Sequence, residues 1–155
     1  MEIKIEQAQI EDAQSLSQLF LRYSKELEQY EMAYSLIEES VLVAMQSRIK
    51  SKISLVAVAR MENEIVGFLI CNFSRLSGYS YEGSPLFGYI ADTYVLPQFR
   101  KQGFAKRLAD FAIDWLKAND VGYVELKVLE SNASAHRFWS ENGFAPTTRT
   151  YGKQI

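Results

Sequence analysis

Cysteine and histidine are nearly absent from this chain. Cys71 and His136 are the single residues of their types among 155. One cysteine cannot form an internal disulfide, and one histidine leaves little material for a metal site or a serine–histidine–aspartate triad. We therefore expect no resident metal, with Cys71 packed as a small core residue and His136 on a helix surface.

The chain also lacks long apolar runs and an excess of basic charge. No apolar run approaches the roughly 20 residues needed to span a bilayer, and the segment MEIKIEQAQIED has no apolar signal region. The 17 basic and 19 acidic side chains nearly balance, which gives no general attraction to nucleic acid or an anionic membrane. These absences favour a cytoplasmic protein that binds neither, and 155 residues suit a single domain over 1–155.

Alternating and helical apolar patterns follow one another along the chain and predict an α/β fold with a mixed sheet. They run in the order strand, two helices, three strands, helix, strand, helix and strand. The second helix is expected over residues 35–50, a hairpin at the turn "ENE", and a last strand from Phe144. Asp12 is expected to cap the first helix, and Ser131 or Asn132 the last. Strands joined through helices pair in parallel, whereas the hairpin pairs antiparallel.

The segment "VLPQFRKQGFAKRL" concentrates basic residues where a predicted strand gives way to a helix. A helix N-terminus leaves backbone N–H groups unpaired and attracts anions, and Gly103 removes a Cβ where a ligand would approach. A loop with a capping glycine and a basic helix face explains the pattern equally well. The segment lacks the three glycines of a dinucleotide fingerprint and the Gly-Lys-Ser/Thr of a P-loop.

A second segment, "NASAHRFWSENGF", adds the context that the first one needs. Together the two segments resemble the GNAT superfamily of N-acetyltransferases. The matched positions of the first motif are Val95, Pro97, Arg100, Gly103 and Ala105, and those of the second are Asn132, Ala135, Phe138, Gly143 and Phe144. The resemblance implies a central, mostly antiparallel sheet with one splayed parallel strand pair, flanked by about four helices.

The resemblance implies acetyl-CoA as co-substrate, without a metal. By this resemblance the backbone N–H groups from Arg100 to Ala105 would hold the pyrophosphate, and the strand edge at Tyr94 and Val95 would pair with the pantetheine arm. Asn132 would contact the arm from the other side, and Lys106 and Arg107 would lie near the 3′-phosphate. The cofactor-binding residues so implied are Tyr94, Val95, Arg100, Lys101, Gln102, Gly103, Phe104, Ala105, Lys106, Asn132, Phe138 and Trp139.

The reaction so implied is direct transfer of an acetyl group to a primary amine, which must first lose a proton. Asp92, three residues before Val95, is the best-placed carboxylate for this base; it can equally order a loop or bind the acceptor's charge. Glu82 and Glu125 are weaker candidates. The N–H of Val95 is expected to stabilise the oxyanion.

One position departs from the family pattern. The family often places a tyrosine four residues before the second motif's glycine as the acid for the leaving thiolate, and this chain has Trp139 there. Tyr94 or another of the nine tyrosines can serve as the acid instead, and the sequence does not choose among them. Trp139 can instead pack against the thioethyl end of CoA or belong to the core. A CoA-binding sensor or partner-binding module without turnover is therefore the alternative to an enzyme.

The acceptor is expected to bind among the acidic and aromatic segments "LEQYEMAY" and "GYSYEGS". Tyr30, Tyr34, Tyr81 and Glu82 are the candidate substrate-binding residues, and such groups suit a cation such as a polyamine, a lysine side chain or an aminoglycoside. An ordinary surface loop explains each of them as well. A Rossmann or P-loop nucleotide-binding protein is disfavoured by the lone glycine and the hairpin. The chain is expected to be a monomer or homodimer.

Overall fold

The computed structural model describes residues 2–155, which form five strands and four α-helices. The strands are β1 (Ile3–Gln7), β2 (Ser54–Met61), β3 (Glu64–Arg75), β4 (Leu86–Val95) and β5 (Tyr123–Leu126). The helices are α1 (Ala13–Leu27), α2 (Val41–Lys50), α3 (Phe104–Ala118) and α4 (Ala133–Glu141).

The strands form one mixed sheet in the order β1-β2-β3-β4-β5. The first three pairings are antiparallel and β4 pairs with β5 in parallel. The parallel register runs only from Phe87 opposite Tyr123 to Ile90 opposite Leu126, although β4 continues to Val95. The two strands therefore part before β4 ends, as the splayed pair predicted from the sequence requires.

Successive strand residues point to opposite sides of the sheet, so the sheet presents two faces, and helices cover both. On one face Phe20 and Tyr23 of α1 pack against Phe68 of β3, with ring centroids 5.9 and 5.7 Å away. On the other face Trp115 of α3 packs against Phe73, at 5.4 Å. The central strands β2 and β3 are thus buried from both sides.

Two predicted elements are wrong. The second helix begins at Val41 rather than residue 35, after a 3₁₀ turn at Glu38–Ser40. The residues before it are irregular, with Glu31 in the left-handed region at φ 51°. No strand begins at Phe144 within the described residues, since the polar segment 145–155 is exposed and has few side chains to bury.

The helix caps follow the predictions in part. Asn132 caps α4, because its Oδ1 accepts from the Ala135 N–H at 3.1 Å, and Gly143 ends that helix with φ 89°. Asp12 precedes α1 but does not cap it. Its carboxylate accepts instead from the Gln9 N–H at 2.8 Å and from Arg60 at 2.6 Å.

Candidate active site

The loop between β4 and α3 presents a row of backbone donors to open space. Gly103 precedes α3 with φ 85°, and Lys101 is also left-handed at φ 60°. The helix's first backbone bond runs from the Arg107 N–H to the Gly103 carbonyl, at 3.1 Å. The N–H groups of the first turn therefore have no intrahelical acceptor. A Cβ built at Gly103 would meet nothing within 4 Å, so an anion can approach this N-terminus.

Most basic side chains of this loop are already engaged. Arg100 pairs with Glu26 at 2.7 Å, Lys106 pairs with Asp110 at 2.7 Å, and Arg107 donates to the Ile3 carbonyl at 3.2 Å. Lys101 has no ion-pair partner among residues 2–155. The loop therefore offers an anion its backbone more than its charges.

The backbone donors differ by one residue from those predicted. The Arg100 N–H donates to the Pro97 carbonyl at 3.2 Å, so it cannot also hold a pyrophosphate. Phe104 contributes only its N–H, because its ring is buried against Phe99 at a centroid distance of 6.1 Å. The available row runs from Lys101 to Lys106.

The end of β4 has an open edge where β5 has stopped. The Leu96 N–H donates to the Val66 carbonyl at 2.9 Å, and Tyr94 is the register partner of Phe68, so these residues face β3. By strand alternation, Thr93 and Val95 direct their N–H and C=O groups to the open edge. The backbone of Tyr94 therefore faces β3, contrary to the expectation that it lies at the open edge, and the backbone groups at that edge are those of Thr93 and Val95.

A β-bulge brings Tyr89 and Asp92 to the same face of the sheet. Asp92 lies opposite Ile70 and Ile90 lies opposite the next residue, Cys71, which leaves Ala91 as the extra residue. Regular alternation would place side chains three residues apart on opposite faces. Sequence reasoning missed Tyr89 for this reason, since no residue type in the strand marks the bulge.

Asp92 faces a cavity of about 300 Å³ between the sheet, α1 and the segment before α2. Its other walls include Phe20, Tyr23, Leu27, Met32, Tyr34 and Leu36. Burial raises the pKa of Asp92, while the positive charge of Arg48 and the contact with Tyr23 act in the opposite direction. Asp92 is consequently a stronger base than an exposed carboxylate.

Tyr23 is the second site residue that sequence reasoning missed. Burial, followed by the negative charge of Asp92, raises the pKa of its phenol far above the ordinary range. The hydroxyl therefore keeps its proton and can donate it in a hydrogen bond to the carboxylate. Its position on the apolar face of α1 gave no sign of this role, although tyrosine is the one polar-tipped residue type on that face.

Tyr94 and Arg100 form a network with Glu26 of α1. The Tyr94 hydroxyl donates to Glu26 Oε2 at 2.9 Å, and the Arg100 guanidinium lies 5.4 Å from the Tyr94 ring centroid. Arg100 Nε also donates to the Val95 carbonyl at 2.8 Å, which leaves the Val95 N–H for a ligand. Burial and then Glu26 raise the pKa of Tyr94.

The α4 residues of the second motif divide between backbone and core. Asn132 uses its carbonyl oxygen as a helix cap, so its amide N–H₂ remains to donate. Trp139 is 8% exposed, and its ring lies 4.8 Å from Phe138 and 5.1 Å from Phe144. Of the two roles expected for Trp139, this geometry favours packing in the core.

The predicted acceptor residues do not come together. Tyr34 lines the Asp92 cavity, whereas Tyr30, the last residue of a 3₁₀ turn, does not. Tyr81 stacks on Tyr123 with a centroid distance of 4.8 Å, and Glu82 is exposed in a turn at φ 49°. Neither lines the cavity. The weaker base candidate Glu125 is the register partner of Tyr89.

Cys71 and His136 lie where the sequence predicts them, in the core and on a helix surface. Cys71 is buried, which raises the pKa of its thiol to about 12, as suits a core residue. His136 is exposed on α4. Residues 2–155 hold no group of three or more His, Cys, Asp or Glu side chains arranged to bind a metal ion. Within the same range, no helix has the length and apolar character to cross a membrane.

The model of the acetyltransferase (GNAT) family matches residues 13–144, which include the Asp92 cavity and the loop of residues 100–106 between β4 and α3, called the anion loop from here on. The chain belongs to this family. The resemblance stated from the two sequence motifs is thereby confirmed, and so is the fold class that it implied.

Individual relatives agree with the family. The chain is 31% identical over 85 residues to an uncharacterized N-acetyltransferase of Archaeoglobus fulgidus, covering 55% of this chain and 56% of that protein. It is 30% identical over 105 residues to the uncharacterized N-acetyltransferase YhdJ of Bacillus subtilis, covering 67% and 71%. The match thus spans less than two thirds of the archaeal relative.

A solved structure shares the fold at low identity. The aminoglycoside N-acetyltransferase AAC(6')-Iy in complex with CoA superposes with a TM-score of 0.79 at 16% identity, covering 99% of this chain and 95% of that one. The sheet, its splayed strand pair and the flanking helices are therefore those of a GNAT fold.

Proposed function

We propose that the protein is an acetyl-CoA-dependent N-acetyltransferase that moves an acetyl group directly to a primary amine. One observation carries the proposal: β4 alone carries both Asp92, the proposed base, and the open edge proposed for the cofactor. Asp92 faces the cavity, and Thr93 and Val95 face the gap left by β5. At about 3.3 Å per residue, the carboxylate and the end of the edge lie within about 10 Å along the strand.

The loop after β4 is the proposed site of the CoA pyrophosphate. Within residues 2–155, its backbone N–H groups from Lys101 to Lys106 have no backbone acceptor, and the space beside Gly103 is open. The pantetheine arm would add to the open edge of β4 as a further strand, with the N–H of Val95 and the amide of Asn132 as donors. The CoA complex of the structural neighbour supports this choice of co-substrate.

The acceptor arrives as an ammonium of pKa about 10, so a proton must leave before nitrogen can attack. Asp92 takes that proton, directly or through water, while the protonated Tyr23 hydroxyl contacts the carboxylate and can orient it. The C–N bond forms, and the oxyanion is stabilised by the N–H of Thr93, since the N–H of Val95, nearer the pyrophosphate loop, pairs with the pantetheine arm. The nitrogen releases its second proton to solvent, the C–S bond breaks, and CoA leaves as a thiolate, which takes up a proton from solvent.

The sequence offers no dedicated acid for the thiolate, and the proposal does not need one. A thiol of pKa about 8.5 is a tolerable leaving group without prior protonation. Trp139 is buried and its indole N–H is not a practical acid. The Tyr94 hydroxyl donates to Glu26, on the face of the sheet that carries α1.

Thiol release from acetyl-CoA with a panel of primary amines tests the proposal. Acetylated amine, identified by mass spectrometry in equal amount to the released thiol, supports it. Tight acetyl-CoA binding in calorimetry without release for any amine would instead favour the CoA-binding sensor. The buried tryptophan at the family's acid position is the observation that keeps this second candidate in view.

A further inference from the structure

The cavity at Asp92 is small and carries little charge. Its volume of about 300 Å³ equals that of about ten water molecules in the liquid. Asp92 is the one carboxylate among the residues that line it, and the other walls are mostly aromatic and aliphatic. A single ammonium group neutralises this carboxylate, and no other acidic side chain among the lining residues can bind a second ammonium group.

The rim of the cavity exposes apolar side chains to solvent. Tyr34 is 72% exposed and Ile37 is 63% exposed, and both line the opening. Met32 and Leu36 add to the same wall. Water contact with these surfaces is unfavourable, so a bound molecule with an apolar body would gain free energy by covering them.

Arg48 places a positive charge beside the Asp92 cavity, near enough to act on Asp92 itself. Arg48 lines an adjoining cavity of about 110 Å³, which shares Phe20, Leu36 and Ser40 with the first. No carboxylate lies within ion-pair distance of Arg48 among residues 2–155. Its guanidinium therefore repels a second positive charge on any ligand that extends from Asp92 across Phe20.

We propose that the acceptor is a small primary amine with one positive charge and an apolar or aromatic body, and not a polycation. The ammonium binds Asp92, the body covers Phe20, Tyr34 and Ile37, and the far end, neutral or anionic, lies toward Arg48. This inference rests on the proposed function and names its substrate class. It also replaces the polyamine or aminoglycoside favoured by the acidic loop residues, which lie outside the cavity.

A matched set of amines tests whether the site disfavours a second positive charge. Hexylamine, 6-aminohexanoate and 1,6-diaminohexane share one chain and differ at the far end, which is neutral, negative and positive respectively. We expect kcat/KM for the first two to exceed that of the diamine by about tenfold at low salt. Arg48→Gln should reduce the ratio of kcat/KM for hexylamine to kcat/KM for 1,6-diaminohexane at least about threefold. The substitution also alters the pKa of Asp92, but this effect cancels in the ratio because both amines use Asp92.

Two exposed tyrosines provide a matched pair for the apolar rim. Tyr34→Ala removes a ring that lines the cavity, and Tyr79→Ala removes one that is equally exposed, at 71%, but lies outside it. We expect the KM for phenethylamine to rise about tenfold in the first variant and to stay within about twofold in the second. Equal effects in the two variants would overturn the assignment of the rim.

The outcomes separate this inference from the proposed function. Efficient acetylation of spermidine, an aminoglycoside or a peptide N-terminus, with hexylamine and phenethylamine poor, would overturn the substrate class and leave the transferase standing. The opposite result is that phenethylamine binds the CoA-loaded protein in calorimetry, loses this binding in Tyr34→Ala and gives no acetylated product. That result would support the ligand class and overturn the transferase. Product formation with the apolar monoamines supports both.

Discussion

The anion loop and the acceptor cavity are built on the same strand but in different ways. The loop, residues 100–106, is contiguous in sequence and acts through its backbone, with Gly103 fixing its shape. The cavity collects side chains from α1, from the irregular segment before α2 and from β4. A contiguous backbone site leaves a motif in the sequence, whereas a site assembled from distant side chains does not. The first was therefore predictable and the second was not.

The largest effect is expected where the two regions meet. Asp92→Asn should lower kcat with an apolar monoamine by about 10²–10⁴-fold, because the amide cannot accept the ammonium proton. The dissociation constant for acetyl-CoA should stay within about threefold, since the anion loop is untouched. Steady-state kinetics and calorimetry on the same preparation measure both quantities. Loss of cofactor binding alongside turnover would show that the two regions are not separable.

Next in size is a change in the loop itself. Gly103→Glu forces a side chain onto a residue at φ 85° and places a carboxylate at the proposed pyrophosphate site. We expect acetyl-CoA affinity to fall at least about 100-fold. Lys101→Ala removes the loop's one basic side chain without an ion-pair partner and should cost only a few-fold.

Gly103→Ala separates strain from charge at this position. A Cβ there meets nothing within 4 Å, so the left-handed φ is its main cost, about 1 kcal/mol. Its affinity for acetyl-CoA should lie between those of the wild type and Gly103→Glu. If Lys101→Ala proves worse than either glycine variant, the charges rather than the backbone hold the phosphates.

The same contrast explains how far the sequence reached into the structure. The order of strands and helices as far as α4, the Asn132 cap and the anion loop follow from periodicity and local residue types. The bulge at Ala91, which turns Tyr89 toward Asp92, depends on how β3 pairs with β4. The shortened α2 depends on a segment whose apolar residues line a cavity rather than one helix face.

A prediction of intermediate size concerns the stability cost of the base. Because the folded pKa of Asp92 is raised, its proton binds more tightly in the folded state, and stability falls as pH rises through that pKa. Asp92→Asn removes this cost. Below the unfolded pKa, about 3.9, the variant and wild type should have similar Tm values. Toward neutral pH the variant should become more stable, by about 2–4 °C for each kcal/mol.

Thermal unfolding from pH 4 to pH 8 measures this difference. Asp110→Asn is the control, because that carboxylate lies on the surface of α3 in an exposed pair with Lys106. Its Tm should change by less than about 1 °C, since exposed pairs contribute little. A gain for Asp92→Asn that shrinks as pH rises would contradict the sign and, with it, the picture of a buried carboxylate tuned as a base.

The smallest effect on turnover is expected at Trp139, where this chain departs from the tyrosine that the family often uses as an acid. Its indole packs between Phe138 and Phe144, so Trp139→Tyr leaves a small void and should lower Tm by a few degrees. Acetyl-CoA affinity should stay within about threefold, and turnover should be unchanged or modestly higher, because thiolate departure needs little assistance. Trp139→Phe is the matched control, since it leaves a similar void without a hydroxyl. Higher turnover in the tyrosine variant alone would mean that an acid helps at this position; a large loss of affinity in both would mean that the indole contacts CoA itself.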